Sequence, residues 1–398
     1  MKNKLKIISL FSLIILTSCT FNNNITDSSN KTQIIIDETK KETVNLHVTS
    51  SITQTTSLEE VIKYVKPSVV DIYSYGSNFT SAGSGVIVAN SDSSYYIVTN
   101  HHVIKDASSF RIVSYNNDIS SSYEATLIGG SPLSDIAVLK VKTSDTLTIA
   151  SFIDDASKIN VGTDVIAIGN PLGILGGTVT KGIVSALQRE VYIDEIGYMN
   201  LIQTDAAINS GNSGGALFNT KGELIGIVNS GYSSYEGLNF AIPASFAINA
   251  FTSIVNTFGN EKIYGYVEGE NNIGMTLKSM QIYADSSLNN KCEIVYASET
   301  SKDGDAYKNG FKDYSNYYNN RYDTFYAIVS INDNEVSNYQ DAIRLLQNIK
   351  ANTEVKISYK KILFKRAGSG IFMQQTYPYL DGKINTITFT ASQYVYTI

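Results

Sequence analysis

Thr204-Asp205-Ala206-Ala207-Ile208-Asn209-Ser210-Gly211-Asn212-Ser213-Gly214-Gly215-Ala216-Leu217 places one serine between glycines, and the reading of this stretch decides the reading of the 398-residue chain. A hydroxyl is a poor nucleophile at neutral pH. To attack a carbonyl it needs a base to take its proton and fixed donors to hold the oxyanion that forms. Gly211, Gly214 and Gly215 have no Cβ, so the backbone can turn sharply and aim N–H groups into the space beside Ser213. Taken alone, a Gly/Ser/Asn cluster is equally a plain turn. The reading therefore rests on a base and an acid that orients it.

The chain has 3 histidines, His47, His101 and His102. His47 lies in a Ser/Thr-rich stretch without apolar pattern and reads as a linker residue. His101 and His102 follow Tyr95-Tyr96-Ile97-Val98-Thr99-Asn100, an aromatic and β-branched run that predicts a strand. Adjacent side chains project differently, so one of the two faces the site. The acid is Asp135 in Ser134-Asp135-Ile136-Ala137-Val138-Leu139, at the mouth of an apolar strand, suited to hold an imidazole tautomer through its Nδ1–H.

The order His, Asp, Ser is that of the chymotrypsin-like proteases. Gly211-Asn212-Ser213-Gly214-Gly215 also satisfies the G-x-S-x-G elbow of α/β-hydrolases. That fold requires a helix after the serine and its histidine last, whereas Ala216-Leu217-Phe218, a turn at Asn219 to Gly222 and Leu224 to Val228 form a hairpin pattern.

Four blocks carry a family resemblance: Thr99-Asn100-His101-His102-Val103, Ser134-Asp135-Ile136-Ala137, Gly169-Asn170-Pro171-Leu172-Gly173 with Gly182-Ile183-Val184-Ser185, and the serine block continuing to Gly237-Leu238-Asn239-Phe240-Ala241-Ile242-Pro243. With them the chain resembles the HtrA/Deg family of chymotrypsin-like serine proteases that carry a PDZ domain. The resemblance implies a Ser-His-Asp endopeptidase without cofactor or metal, acting on unfolded or misfolded polypeptides, and a homotrimer. It implies His102 as the base, Asp135 as its orienting acid and Ser213 as nucleophile. Gly211 and Ser213 would supply the oxyanion-hole N–H groups, and Asn209, Ser210 and Gly211 would form the loop that opens or closes the hole. Six residues before Ser213, where trypsin-like enzymes hold the base of the primary pocket, stands Ala207, which offers no carboxylate to Lys or Arg. With Ile208 it predicts a shallow apolar pocket for Val, Ala, Ile or Leu.

Lys2, Lys4 and Lys6 precede the apolar stretch Ile7 to Leu16, which suits a signal peptide over residues 1–18 and is too short to span a bilayer. It ends in Leu16-Thr17-Ser18-Cys19, which resembles a bacterial lipobox and makes Cys19 the expected site of lipidation, with the catalytic part outside the cytoplasm. Cys292 is then left without an intrachain partner. The balance of 31 basic and 37 acidic residues gives a net charge of −6, and no basic patch, metal-spaced cluster or phosphate loop stands out. Nucleic acid is excluded as a partner on these grounds.

The expected architecture is all-β dominated. Residues 19–56, rich in Ser, Thr and Asn, read as a flexible tether. A capping box at Ser57-Leu58-Glu59-Glu60 starts a helix that Pro67 stops. Short strands then suit a chymotrypsin-like double antiparallel β-barrel over 57–258, closing with a helix from about Pro243. Residues 261–398 resemble a divergent PDZ-like α+β domain: Ile273-Gly274-Met275 resembles its carboxylate-binding loop, and a helix at Tyr339 to Asn348 and a strand at Glu354 to Tyr359 follow. The family's usual Gly-Asp before Ile328 is absent, a Tyr/Asn-rich insertion runs from Asp313 to Tyr326, and a hairpin-like extension occupies Ile371 to Ile398. C-terminal peptides are the expected ligands, and a β-rich packing domain without ligand is the alternative. For the whole chain two alternatives stay open: a chaperone-like or peptide-binding lipoprotein with a latent site, and a processing protease for one surface protein.

Overall fold

The computed structural model describes residues 31–36, 42–47, 57–116, 119–170, 177–193, 196–231, 237–259, 264–314, 325–367 and 375–394. Its first elements are β1 (Lys31–Ile36), β2 (Glu42–His47) and helix α1 (Leu58–Val65). The capping box is present: Ser57 Oγ accepts from Glu60 N–H, and the Glu60 carboxylate accepts from Ser57 N–H. There follow β3 (Val69–Tyr75), β4 (Thr80–Ser91), β5 (Ser94–Thr99), the single turn α2 (His101–Ile104), β6 (Ser109–Asn116), β7 (Ile119–Ser131) and β8 (Ile136–Lys142).

These strands run in the order β4-β3-β6-β7-β8-β5, and β5 pairs back onto β4, closing a six-stranded antiparallel barrel. Strand β8 shows why its sequence is apolar on both faces. Ala137, Leu139 and Val141 point into the barrel core with Ile72, Ile97 and Ile112. Ile136 and Val138 point to a larger cluster shared with the second barrel. Successive residues of a strand face opposite ways, so a strand between two cores must be apolar throughout.

The second barrel comprises β10 (Asp164–Gly169), β11 (Thr178–Ile193), β12 (Gly197–Thr204), β13 (Ala216–Asn219), β14 (Glu223–Gly231) and β15 (Asn239–Pro243), with β9 (Ser151–Phe152) alongside β14. The order β13-β10-β11-β12-β15-β14 closes through a β13–β14 pairing, again with six antiparallel strands. Helix α3 (Ala244–Thr257) then buries Ala247, Phe251 and Ile254. Phe251 meets Tyr96 of β5 edge-on, with ring centroids 6.1 Å apart, so the helix leaving one barrel is packed on the other.

The remaining elements are β16 (Met275–Tyr283), β17 (Lys291–Thr300), the single turn α4 (Asp305–Lys308), β18 (Phe325–Ile331), β19 (Asn334–Glu335), α5 (Tyr339–Gln347), β20 (Glu354–Ala367) and β21 (Gln375–Thr390). The sheet runs β17-β16-β21-β20-β18-β19, with a further β17–β18 pairing. Several contacts between described residues tie this unit to the barrels, two of them close backbone or helix contacts. Gly265 bridges Gly129 of β7, with Gly130 N–H on Gly265 O at 3.1 Å and Gly265 N–H on Ile128 O at 2.7 Å. The backbones pass so closely that a Cβ on Gly129 would lie 2.0 Å from Gly265 O. The second contact is α5 on the β11–β12 hairpin. Gln347 Oε1 accepts from Tyr198 N–H at 2.9 Å, Arg344 pairs with Glu190 at 2.7 Å, and the Arg344 guanidinium lies over the Tyr198 ring.

Two expectations need correction. Part of the stretch read as a flexible tether is structured: β1 and β2 form a hairpin, and β2 pairs with β4 at Asn45↔Asn90 and Leu46↔Ala89. Val44 and Leu46 are buried, an alternation too short to stand out among Ser and Thr. Of the extension read as hairpin-like over 371–398, the described residues form one strand, β21, to Thr390; it pairs with β20, whose apolar run continues past the expected end at Tyr359. Residues 1–30, with Cys19 and the signal stretch, lie outside the described residues, as do 171–176 and 315–324 of the glycine-rich block and the Tyr/Asn-rich insertion. No described helix is long and apolar enough to cross a membrane.

Candidate active site

The cleft between the barrels gathers the three residues singled out by pattern. His102 leaves the end of β5 on α2, and Asp135 precedes β8, the strand that pairs with β5. Neighbouring strand ends therefore bring together residues 33 positions apart. Asp135 sits in the left-handed region at φ 49°, which aspartate tolerates better than most residues, and is 1 % exposed. Its carboxylate accepts three hydrogen bonds: from His102 N–H at 2.9 Å, from His102 Nδ1 at 2.8 Å, and from Asn229 Nδ2 at 2.6 Å. A donating Nδ1–H leaves Nε2 free of hydrogen and directed away from Asp135. Its own backbone carbonyl is held too, by Asn100 Nδ2 at 3.0 Å and His101 N–H at 3.2 Å.

Burial opposes a charge on His102, but the hydrogen bond and negative charge of Asp135 outweigh it and raise the ring above its ordinary value of 6.5. His101 goes the other way. It is buried behind the site, and desolvation lowers it to about 4, with only partial compensation from the Asp135 charge. The structure thus separates two adjacent histidines into a solvent-accessible ring on a carboxylate and a neutral ring in the packing.

Ser213 lies in the turn between β12 and β13 of the second barrel. Its Oγ donates to Asn229 O at 2.8 Å, and among the described residues no hydrogen bond joins it to His102. Catalytic hydrogen bonds are often unmade without substrate, and the serine side chain has a rotation about Cα–Cβ available. Gly214 N–H on Val228 O and Val228 N–H on Gly215 O, both 2.8 Å, fasten the turn to β14. Gly214 has φ 82°, and a Cβ there would lie 2.2 Å from Ser84 O, so glycine is required for the close approach. Gly211 has φ 99°. Among the described residues, no hydrogen bond engages the N–H of Gly211 or of Ser213.

Asn209 and Ser210 are exposed beside this turn, and Asn209 O accepts from Asn212 N–H at 3.0 Å. Ile208 is buried and Ala207 exposed, its carbonyl held by Thr180 Oγ1 at 2.9 Å. Ile273-Gly274-Met275 lies apart from the cleft, at the start of β16. Gly274 there adopts φ 67° and accepts from Ser301 N–H at 2.8 Å. Opposite β17, the described edge of β16 is paired only at Tyr283, with Tyr379 of β21.

Two residues escaped the sequence reading. Asn229 donates to Asp135 through its side chain and accepts from Ser213 through its carbonyl, so it touches both residues. Ser84, fully buried on β4, donates to Gly211 O and accepts from Asn170 N–H, each at 2.8 Å. Asn229 carries no sequence signal beyond following an apolar strand. Ser84 had one, a serine between Gly83 and Gly85.

Two closed six-stranded barrels with a histidine-bearing and a serine-bearing loop facing across their junction define a trypsin-like serine protease. Residues 83–227 match the trypsin-like peptidase domain family. The serine endoprotease DegS of Haemophilus influenzae is 32 % identical over 324 residues, covering 77 % of this chain and 84 % of that protein. The serine protease Do-like HtrA of Lactococcus lactis subsp. cremoris is 38 % identical over 237 residues, 53 % of this chain and 57 % of the relative. Among solved structures, the serine endoprotease from Yersinia pestis aligns over 86 % of this chain and 99 % of its own at 27 % identity and a TM-score of 0.50. The HtrA-type protease AlgW with tripeptide aligns over 85 % and 98 % at 25 % identity and a TM-score of 0.50. The chain belongs to the HtrA/DegS family of serine endoproteases.

The opposite environments of the two histidines set a pH dependence. A buried ring that titrates near 4 when folded and near 6.5 when unfolded binds fewer protons in the native state between those values. Its contribution to stability is therefore complete above about pH 6.5 and is lost as pH falls towards 4, on the order of 3 kcal/mol in all. His101→Asn should flatten that part of the stability curve, as measured by denaturant unfolding at pH 4.5 and 7.5. An unchanged difference between the two pH values would refute the assignment.

Proposed function

We propose that this protease is a lipid-anchored, extracytoplasmic endopeptidase that cuts unfolded or misfolded polypeptides by an acyl-enzyme mechanism at Ser213, His102 and Asp135. The observation that carries the reading is the Asp135 carboxylate on His102 Nδ1, which leaves Nε2 as an acceptor on the serine side. When substrate enters, the Ser213 hydroxyl leaves Asn229 O and gives its proton to His102 Nε2 as Oγ attacks the peptide carbonyl. The Gly211 and Ser213 N–H groups, without partners in the described structure, receive the developing oxyanion. The imidazolium, stabilised by Asp135, returns the proton to the leaving amine. Water then repeats the sequence on the acyl-enzyme and frees Ser213. The activation loop in this reading is Asn209, Ser210 and Gly211.

Ala207 and Ile208 support a preference for small or aliphatic residues before the scissile bond, because neither offers a charge to a basic side chain. Residues 261–398 are read as a PDZ-like domain in which a C-terminal peptide adds to the unpaired part of the β16 edge, its carboxylate at Ile273, Gly274 and Met275. The free edge from Met275 to Ile282 supports this. The domain limits 57–258 and 261–398 follow from the same reading. Envelope location is supported by the lysine-led apolar leader ending at Cys19, and by a relative described as a probable periplasmic serine endoprotease.

Ser213→Ala and His102→Ala should each abolish casein hydrolysis and, for Ser213→Ala, fluorophosphonate labelling. In the parent, kcat/KM should rise along a limb centred above pH 6.5, since the base must be neutral and its folded value is raised. Residual turnover in Ser213→Ala, or a limb below pH 6.5, would overturn the mechanism. Cleavage-site profiling on an unfolded protein should return mainly Val, Ala, Ile and Leu before the cut, and dominant Lys or Arg would refute the pocket reading. Cys19→Ala should release the protein from membranes on fractionation, and retention would count against the anchor.

A further inference from the structure

The loop that carries Gly211 does not set its shape alone. Gly211 has no Cβ, lies at φ 99°, and is flanked by the exposed Asn209 and Ser210. Inside the loop the 211–212 peptide is held through its N–H, Asn212 N–H on Asn209 O at 3.0 Å, and its carbonyl, Gly211 O, takes its bond from outside the loop. That bond comes from the other barrel. Ser84 Oγ, on β4, donates to Gly211 O at 2.8 Å. The same oxygen accepts from Asn170 N–H at 2.8 Å. A hydroxyl has one proton to give, and a donor on its lone pair leaves that proton aimed at Gly211. The main chain of Ser84 holds the nucleophile as well: its N–H donates to Ser213 O at 2.8 Å. Its carbonyl is fixed in turn by Thr99 Oγ1 at 2.7 Å. One fully buried residue therefore grips the carbonyls of both residues whose N–H groups face the oxyanion.

We infer that Ser84 is a positioning residue for this reaction: its hydroxyl clamps the Gly211 carbonyl, which fixes the 211–212 peptide and with it the Gly211 Cα from which the N–H of the preceding 210–211 peptide is presented to the oxyanion. The inference rests on the proposed role of the Gly211 and Ser213 amides. Removing the hydroxyl takes this donor from the half-buried Gly211 carbonyl and this acceptor from Asn170 N–H, and the Gly211 end of the 211–212 peptide is then free to turn. The loss falls on the charge-developing state and spares the binding of substrate.

The test is Ser84→Ala in the full chain. kcat on a peptide amide should fall at least tenfold while KM stays within twofold. Affinity for a peptidyl boronate, which adds to Ser213 and mimics the tetrahedral state, should fall by the same factor as kcat. A purely structural role would shift the unfolding midpoint without separating kcat from KM. Folded S84A with kcat and boronate affinity within twofold of the parent would overturn the inference. If S84A does not fold, Ser84→Cys, similar in size and a weak donor, is read in the same way. Should the parent itself fail to react with a fluorophosphonate, the proposed function falls. The clamp is then judged on a crystal structure of the variant: a displaced Gly211 carbonyl supports it, and an unmoved one overturns it.

Discussion

A buried carboxylate accepting three hydrogen bonds is the constraint around which the barrels are arranged. A carboxylate at 1 % exposure needs hydrogen-bond donors in place of water, and those of Asp135 come from both barrels: His102 twice from the first, Asn229 from the second. Meeting that requirement fixes the distance between β5 and β14 at the cleft. It also accounts for the left-handed turn at Asp135, which points the side chain back over α2 as its own carbonyl is held by Asn100 and His101. The inter-barrel cluster of Val86, Val98, Ile136 and Val138 with Phe218 and Ile227 supplies the apolar burial that holds the two halves against each other.

The second barrel contributes the serine through a turn that depends on the first for its shape. Val228 and Gly215 tie the turn to its own sheet, and Ser84, whose own carbonyl is held by Thr99, ties it across the cleft. The catalytic elements are thus shared between two cores. Neither barrel alone contains a complete set of partners for Asp135 or for Gly211.

The alternation of strands, the capping box and the chemistry around Ser213 were legible because each is local. Ser57 to Glu60 and Ile136 to Val141 carry their structural meaning within a few residues. The candidates His102, Asp135 and Ser213 were found for a different reason, since only three histidines offered themselves and chain order separated the competing folds. What the sequence concealed is long-range. Asn229 meets Asp135 across 94 residues, Ser84 meets Gly211 across 127, and neither pairing leaves a pattern in a single sequence. The β1–β2 hairpin was concealed by composition: Val44 and Leu46 alternate with polar residues over too short a stretch to stand out, and the pairing of β2 with β4 is long-range. His101 against His102 could be separated from the residues alone only once the direction of each ring was known.

The crossing of Gly265 over Gly129 has a mechanical consequence. With backbones in direct contact and hydrogen-bonded on both sides, the junction between the barrels and the C-terminal unit has no slack at that point. Five residues on, Glu270 takes a hydrogen bond from Ser131 Oγ at 2.7 Å, and that same oxygen accepts from Ser134 N–H, next to Asp135. A pull on the C-terminal unit is divided between these bonds and the α5 contacts on the β11–β12 hairpin, and the first of the two load paths ends at Ser134, next to Asp135.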